Sequence, residues 1–539
     1  MNNKIKFLTI LGIVSLILSA CTAPMNMDSM GHDMGNGQKD RPAIALEGKQ
    51  PSTATEKGGL IELTAREGSL KTKDGKKWPI WGYDGTAPGP TIRVKEGETV
   101  RVKLTNELPE PVTIHWHGLP VPNRMDGVAG ITQDAVEPGK SFTYEFKADV
   151  PPGTYWYHSH QKSAEQVDKG LYGTVIVEPK GKPDYERDYT LVLDEWMEPG
   201  KADSKASQGD KKGSGEEQNQ GMGGMDHGSG HNMNMDGGKK EDMEMDGMGH
   251  MMDEYTIYTI NGGTYPDIEP LKVKKGDRVK LRLVNAGFMT HKIHVHGSEI
   301  RVTNMDGMPV NRPEPFKDKL IPVAPGERYE VEFTADQPGE WLIECHGNGP
   351  GAQGMKVAVQ YEDASGTKDR PGEMEELPVL DLTRYGQPNK AEFSSDDSFD
   401  RVFTAELNES MDHAKMEEIF TINGKTMEEA KPFKVKKGDR VKIRFVNKGK
   451  QDHPMHLHGH HFQVLTKNGK PLQGAPIRKD TINVRPGESY EIAFVADNPG
   501  DWMVHCHELH HAAGGMATQI KYDGYKSFKP DPDVENIPE

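Results

Sequence analysis

Three segments of this chain repeat one alternating pattern: Pro90 to Asn106, Leu271 to Asn285 and Phe433 to Asn447. Each runs as an alternating strand, a Gly turn and a second alternating strand, which reads as β-structure with one face buried. A Pro-Gly pair follows each copy, at Pro138-Gly139, Pro325-Gly326 and Pro486-Gly487, and leads into a strand such as Tyr329 to Thr334 or Tyr490 to Val495. A Pro-Gly-x-aromatic turn comes next, at Pro152 to Tyr155, Pro338 to Trp341 and Pro499 to Trp502. A unit of about 110 to 130 residues is too long for a solenoid repeat and suits a β-sandwich. The expected fold is all-β, with three homologous Greek-key sandwiches at 58–194, 253–362 and 400–523.

Between them, residues 195–252 lose the strand pattern and become Gly, Ser, Lys, Glu, Met and His, while 363–399 form a shorter polar join. Neither holds enough apolar surface to order itself, and both are expected to be flexible. Residues 524–539 read as a C-terminal tail. With 60 Gly and 37 Pro among 539 residues, the composition argues against a helical bundle or a long coiled coil. The net charge of -17 disfavours nucleic acid and anionic surfaces as partners and favours cations. Three cysteines cannot build a disulfide framework.

One of them is explained by processing. Lys4 and Lys6 precede an apolar run from Phe7 to Leu18, too short to span a bilayer as a mature helix but suited to a signal sequence. Leu18-Ser19-Ala20-Cys21 is similar to a bacterial lipobox, so 1–20 are expected to be a signal peptide, Cys21 a lipidated residue and 21–57 a Met-containing tether. The alternative is an uncleaved N-terminal anchor. Either way the body is expected to be exported and held at the outer face of the bacterial cytoplasmic membrane, as a monomer.

Four short clusters carry the chemistry. His115-Trp116-His117 and His158-Ser159-His160 lie in the first sandwich, and i, i+2 residues on a strand point to one face, so each pair aims two imidazoles together. A single pair of this kind is more often a zinc pair or a surface accident. In the third sandwich the same places hold His453-Pro454-Met455-His456-Leu457-His458 and His505-Cys506-His507, followed by His511 and Met516. His453, Cys506, His511 and Met516 are the ligand set of a blue-copper electron-transfer site with a weak axial thioether. Eight histidines remain: His115, His117, His158, His160, His456, His458, His505 and His507. Cys506 is bonded through the backbone to both His505 and His507, a short covalent path from one copper to a multinuclear centre.

These four clusters, in order, resemble those of the multicopper oxidases, the three-domain laccase-like group with cupredoxin-like domains, over about residues 58 to 523. The resemblance implies four copper ions: type 1 on His453, Cys506, His511 and Met516, type 2 on His115 and His456, and a type 3 pair on His117, His158 and His507 and on His160, His458 and His505. It also implies that dioxygen is reduced to water between the first and third domains. Asp126 resembles the acidic residue of family members near the type 2 copper, where a carboxylate can relay protons or orient an imidazole; a turn-forming Asp-Gly is the plain alternative. Some copper-oxidising relatives have an acidic residue directly after the second type 1 histidine; here it is Ala512.

The middle repeat is an imperfect copy. His291, His294, His296, Glu344-Cys345-His346 and Met355 occupy the corresponding places, with Pro350 where His511 stands and Glu344 where His505 stands. It reads as a decayed site; the sharper hypothesis is a mononuclear copper on His291, Cys345 and Met355. Nine methionines from Met222 to Met252 lie with His227, His231 and His250, and Met25, Met27, Met30, His32 and Met34 follow Cys21. Thioethers select Cu(I), although a linker with incidental Met is the bland reading. The expected function is oxidation of Cu(I) coupled to O2 reduction, serving copper tolerance. Phenols, aromatic amines, Mn(II) or Fe(II) as donors, a copper-storage lipoprotein without turnover, and a structural cupredoxin are the alternatives.

Overall fold

A computed structural model describes residues 45–198, 255–347, 352–362, 376–412 and 417–539. The signal segment, Cys21, the methionines of 25–34 and 222–252, and Pro350 lie outside the described residues. Each repeat is a pair of facing sheets. Strand Thr99–Asn106 shows the cause: Val100, Val102 and Leu104 are buried while Thr99 and Arg101 are exposed, so one face has only a core to go to. The two strands of each sequence repeat lie in opposite sheets, so the Gly turn carries the chain from one layer to the other. Parallel pairing of Leu60–Lys71 with Thr99–Asn106, of Arg187–Met197 with Arg278–Asn285 and of Arg401–Asp412 with Arg440–Asn447 marks the Greek-key crossovers.

The Asn that closes each repeat has one job in all three domains. Asn106 Nδ2 donates to the carbonyls of Glu110 and Val136 at 2.8 and 2.7 Å. Asn285 makes the same bonds to Met289 and Val323, and Asn447 to Gln451 and Val484. Each amide therefore ties the loop that leads into a histidine strand to the strand before the Pro-Gly turn. The strands so placed are His115–His117, His291–Val295 and His453–Leu457.

Several expected boundaries are corrected. Strand Arg187–Met197 pairs with Arg278–Asn285 and Tyr255–Ile260, so it is the first strand of the second sandwich rather than the end of the first, and residues 195–197 are strand rather than linker. Residues 45–57 are not all tether: Leu46 is fully buried and its amide donates to Thr264 Oγ1 at 2.9 Å. The second half of the 363–399 join is packed, with Phe393 buried and the Tyr385 hydroxyl accepting from the amide of Val302 at 2.8 Å. The tail 524–539 returns to the first sandwich, where Asn536 Oδ1 accepts from the amide of Ala135.

The three sandwiches meet at one buried ionic junction. Arg328 of the second, with no exposed surface, donates to Asp480 Oδ1 and Oδ2 of the third at 2.8 and 2.6 Å. Lys479 reaches Asp306 and Glu327 of the second at 3.0 and 3.3 Å. Gly118 of the first lies at φ +83°, and a Cβ there would fall 2.5 Å from Arg328 Nη2, so the backbone approaches as closely as it does only because no side chain intervenes. Arg328→Ala is expected to lower stability by about 3–5 kcal/mol, because it strands buried carboxylates; the denaturant midpoint of the purified protein measures it, and an unchanged midpoint would contradict the role given to the junction.

Candidate metal centre

The first and third sandwiches place eight imidazoles in one buried cluster. Direct cross-strand pairing sets His115 opposite His158 in the first and His456 opposite His505 in the third. The two halves interlock: His117 stacks on His456 with ring centroids 3.7 Å apart, and His115 on His458 at 3.9 Å. All eight are buried. The turn glycine of the second sandwich, Gly326 at φ +80°, abuts this cluster, since a Cβ there would lie 2.8 Å from His507 Cγ.

Outer partners decide which nitrogen of each ring faces inward. Nδ1 of His115, His158, His160, His456 and His505 lies 2.8–3.0 Å from the carbonyls of Asp126, Ser159, Pro538, Asp480 and Cys506 respectively, placed to donate. His458 Nδ1 lies 2.9 Å from Asp126 Oδ2. His117 is reversed: Nε2 faces Asp480 Oδ1 at 3.0 Å and Nδ1 looks inward. The inward nitrogens of His115, His117, His158, His160 and His456, and both of His507, have no hydrogen-bond partner. His458 Nε2 and His505 Nε2 face each other at 3.1 Å with both Nδ1 protons committed outward. Converging lone pairs without protons between them fit cations.

Burial first, and neighbouring imidazoles second, push His117, His158, His160, His456, His458 and His505 well below the ordinary histidine value. Burial brings His507 to about 3. These rings are neutral at physiological pH, the state a metal requires.

A second pocket lies beside the first. His453 Nδ1 and His511 Nδ1 are 3.2 Å apart, and Cys506 Sγ is 3.8 and 3.6 Å from them. A trigonal ion with bonds of roughly 2.0–2.3 Å spans these separations. Met516 is buried against the same pocket, its amide donating to the carbonyl of His511 and its carbonyl accepting from the amide of Cys506. Phe420 stacks on His511 at 4.1 Å. Burial holds the Cys506 thiol well above its usual range, so a cation must displace its proton.

Asp126 lies both at a turn and against the cluster. It closes the 3₁₀ turn Asn123–Met125 through its own amide, and its carboxylate, fully buried, reaches His458 at 2.9 Å and His115 Nδ1 at 3.2 Å. In the middle domain, His291 Nδ1 lies 3.5 Å from Cys345 Sγ while its Nε2 faces Glu195, and Met355 is buried. Sequence reasoning missed four carboxylates. Asp480 orients His117; against the effect of burial, Arg328 holds its carboxyl below the ordinary range. Glu508 holds His510 Nδ1 and the amide of His511, both at 2.8 Å. Glu195 holds His291. Glu539, on the tail, reaches His505 Nδ1 at 3.1 Å and is hydrogen-bonded by Ser163; burial pushes it up to about 8.

The depressed histidines set an acid limit on the metal-free protein. Unfolded, they take up protons near 6.5; folded, His507 does not until about 3. The unfolded state binds more protons across that window, so stability is full above it and is lost as pH falls. Urea denaturation of metal-free protein from pH 7.5 down to 4 is expected to show a falling midpoint, and a flat profile would contradict the neutral buried cluster.

Family profiles described as multicopper oxidase match residues 64–182, and 233–365 with 401–524. Multicopper oxidase MmcO of Mycobacterium tuberculosis is 32% identical over 453 residues, covering 82% of each chain. Copper resistance protein A of Escherichia coli is 25% identical, over 88% of this chain and 94% of its own. A solved multi-copper oxidase from Pseudomonas thermotolerans superposes with a TM-score of 0.62 at 25% identity, over 87% of this chain and all of the other. The oxidase Fet3p superposes with a TM-score of 0.67 at 22% identity, over 86% and 90%, a likeness of fold. Family members are oxygen-using oxidoreductases that use copper, typically four ions, and the two buried pockets suit that metal. This chain belongs to the multicopper oxidase family.

Proposed function

We propose that the chain oxidises a one-electron donor, foremost Cu(I), beside type 1 ligands His453, Cys506, His511 and Met516. Dioxygen would be reduced to water at a trinuclear centre, with type 2 ligands His115 and His456 and type 3 ligands His117, His158 and His507, and His160, His458 and His505. One observation carries this reading: Cys506, in contact distance of His453 and His511, is continuous through its backbone with two members of the eight-imidazole cluster. The bound copper supplies the one-electron and oxygen chemistry. The chain supplies the rest. Cys506 with His505 and His507 gives the covalent path between the pockets. Asp126, touching one ring from each domain, holds His115 and His458 in register and offers a buried carboxylate where protons are consumed. Packing around the rings excludes water.

The choice of donor rests on the approach to His511. A cavity of about 230 Å³ beside it is lined by Met289, Gln451, Asp452 and Glu508 among others. The two carboxylates suit a cation better than a phenol, and Met289 adds a thioether of the kind Cu(I) prefers. The chain's net charge of -17 draws cations towards it, and the Met- and His-rich stretches at 25–34 and 222–252 offer further Cu(I) ligands. Oxidation outside the membrane converts Cu(I) to the less permeant Cu(II), hence a role in copper tolerance, for a monomer tethered at the bacterial envelope by lipid on Cys21. Among the described residues no helix is long and apolar enough to cross a membrane.

Oxygen uptake by the copper-loaded protein with Cu(I) as sole donor is expected to consume about one O2 per four Cu(I) without peroxide, as electron balance requires. Turnover of a phenol with no turnover of Cu(I) would move the donor elsewhere, and no uptake with either would favour storage. His511→Ala is expected to abolish turnover with every donor; retained activity would overturn the assigned entry point.

A further inference from the structure

The middle sandwich repeats the cross-strand register of its neighbours. Where the first pairs His115 with His158 and the third His456 with His505, the second pairs His294 with Glu344. His296 lies two residues on along the same stretch and His346 two beyond Glu344, so three imidazoles and a carboxylate converge. One ligand nitrogen from each of His294, His296 and His346 lies within 4.8 Å of the others. Ring centroids are 4.1 Å apart for His294 and His296 and 5.1 Å for His294 and His346.

The hydrogen bonding around these rings is incomplete. His294 is only 4% exposed, yet neither of its nitrogens has a hydrogen-bond partner, and His346 Nε2 has none either. Glu344 is divided between two tasks. Lys356 Nζ holds Oε2 at 2.7 Å, while Oε1 faces His296 Nε2 at 2.7 Å and His346 Nε2 at 3.6 Å. One carboxylate oxygen thus lies beside two of the three rings. We propose that His294, His296 and His346, with Glu344 beside two of the rings, bind one borderline divalent cation that prefers imidazole, Cu2+ above Zn2+ by the usual order of affinities.

A single ion, rather than a cluster, follows from what faces the site. His115 and His117 interlock with His456 and His458, which doubles the ligand count there. Among the described residues, the aromatic contacts of His294, His296 and His346 are only with one another. The site is also more open: the side chains of His296 and His346 are 18% and 9% exposed, and the half-exposed Asp318 lies 3.6 Å from His294 Nε2, so an ion can exchange with solvent. No ligand is shared with the two pockets of the oxidase, and the proposal stands apart from the choice of electron donor.

The test is metal counting on the whole protein, after loading with excess Cu2+ or, in parallel, Zn2+ and removal of loose ions. The comparison is with His296→Gln/His346→Gln, both at partly exposed positions. The wild type is expected to retain one equivalent more than the variant, of either ion, and with Cu2+ to give a correspondingly larger electron paramagnetic resonance spin count. The thiolate-to-copper absorption of the Cys506 pocket and oxygen uptake are expected to be the same in both, which shows that the variant has folded. If the double variant does not fold, His296→Gln alone is expected to weaken retention. Equal metal content in wild type and variant with both ions overturns the site and leaves three inherited imidazoles without a ligand.

Discussion

Asp480 is the constraint on which the rest turns. It is buried where all three sandwiches meet, and a carboxylate there is tolerable only because Arg328 meets it with two parallel N–H donors. The same Oδ1 accepts from His117 of the first sandwich, while the Asp480 carbonyl accepts from His456 of the third. Docking of the domains and the choice of ring nitrogen at two rings of the buried cluster are therefore one interaction. A shift between sandwiches that lengthened the ion pair would also release His117 to turn.

The duplicated architecture explains what the middle sandwich is for. It carries no member of the eight-imidazole cluster, yet it supplies Arg328 and Asp306 to the junction, and its Pro325-Gly326 turn lies against His507. It thus acts as a wedge that fixes the first and third sandwiches face to face. Its own His294, His296 and His346 keep the same strand register, and among the described residues their ring contacts are only with one another.

Local signals were legible and distant ones were not. The alternation of Thr99–Asn106 and its two copies appears in the structure as strands because each has a single face to bury. His-x-His and His-Cys-His were readable because strand geometry fixes where i and i+2 point. Strand Arg187–Met197 was misplaced because a pattern of alternation says nothing about which sheet a strand joins when the preceding loop is short. Asp480 and Glu539 carried no signal at all: the histidine that Asp480 orients is 363 positions away, and Glu539 ends a polar stretch whose burial depends on a surface made by other domains. Asp126 was ambiguous from sequence because the same residue both ends a turn and contacts two rings.

The path of the chain also fixes an order of events. Half of the large cluster is made by residue 160, but its other half needs His505 and His507, and the outer partners of His160 and His505 include Pro538 and Glu539. During synthesis, the first sandwich can present only two imidazole pairs to any passing ion, without the rings that oppose them. Full assembly of the cluster is thus deferred until the third sandwich has folded and residues 524–539 have been laid across it.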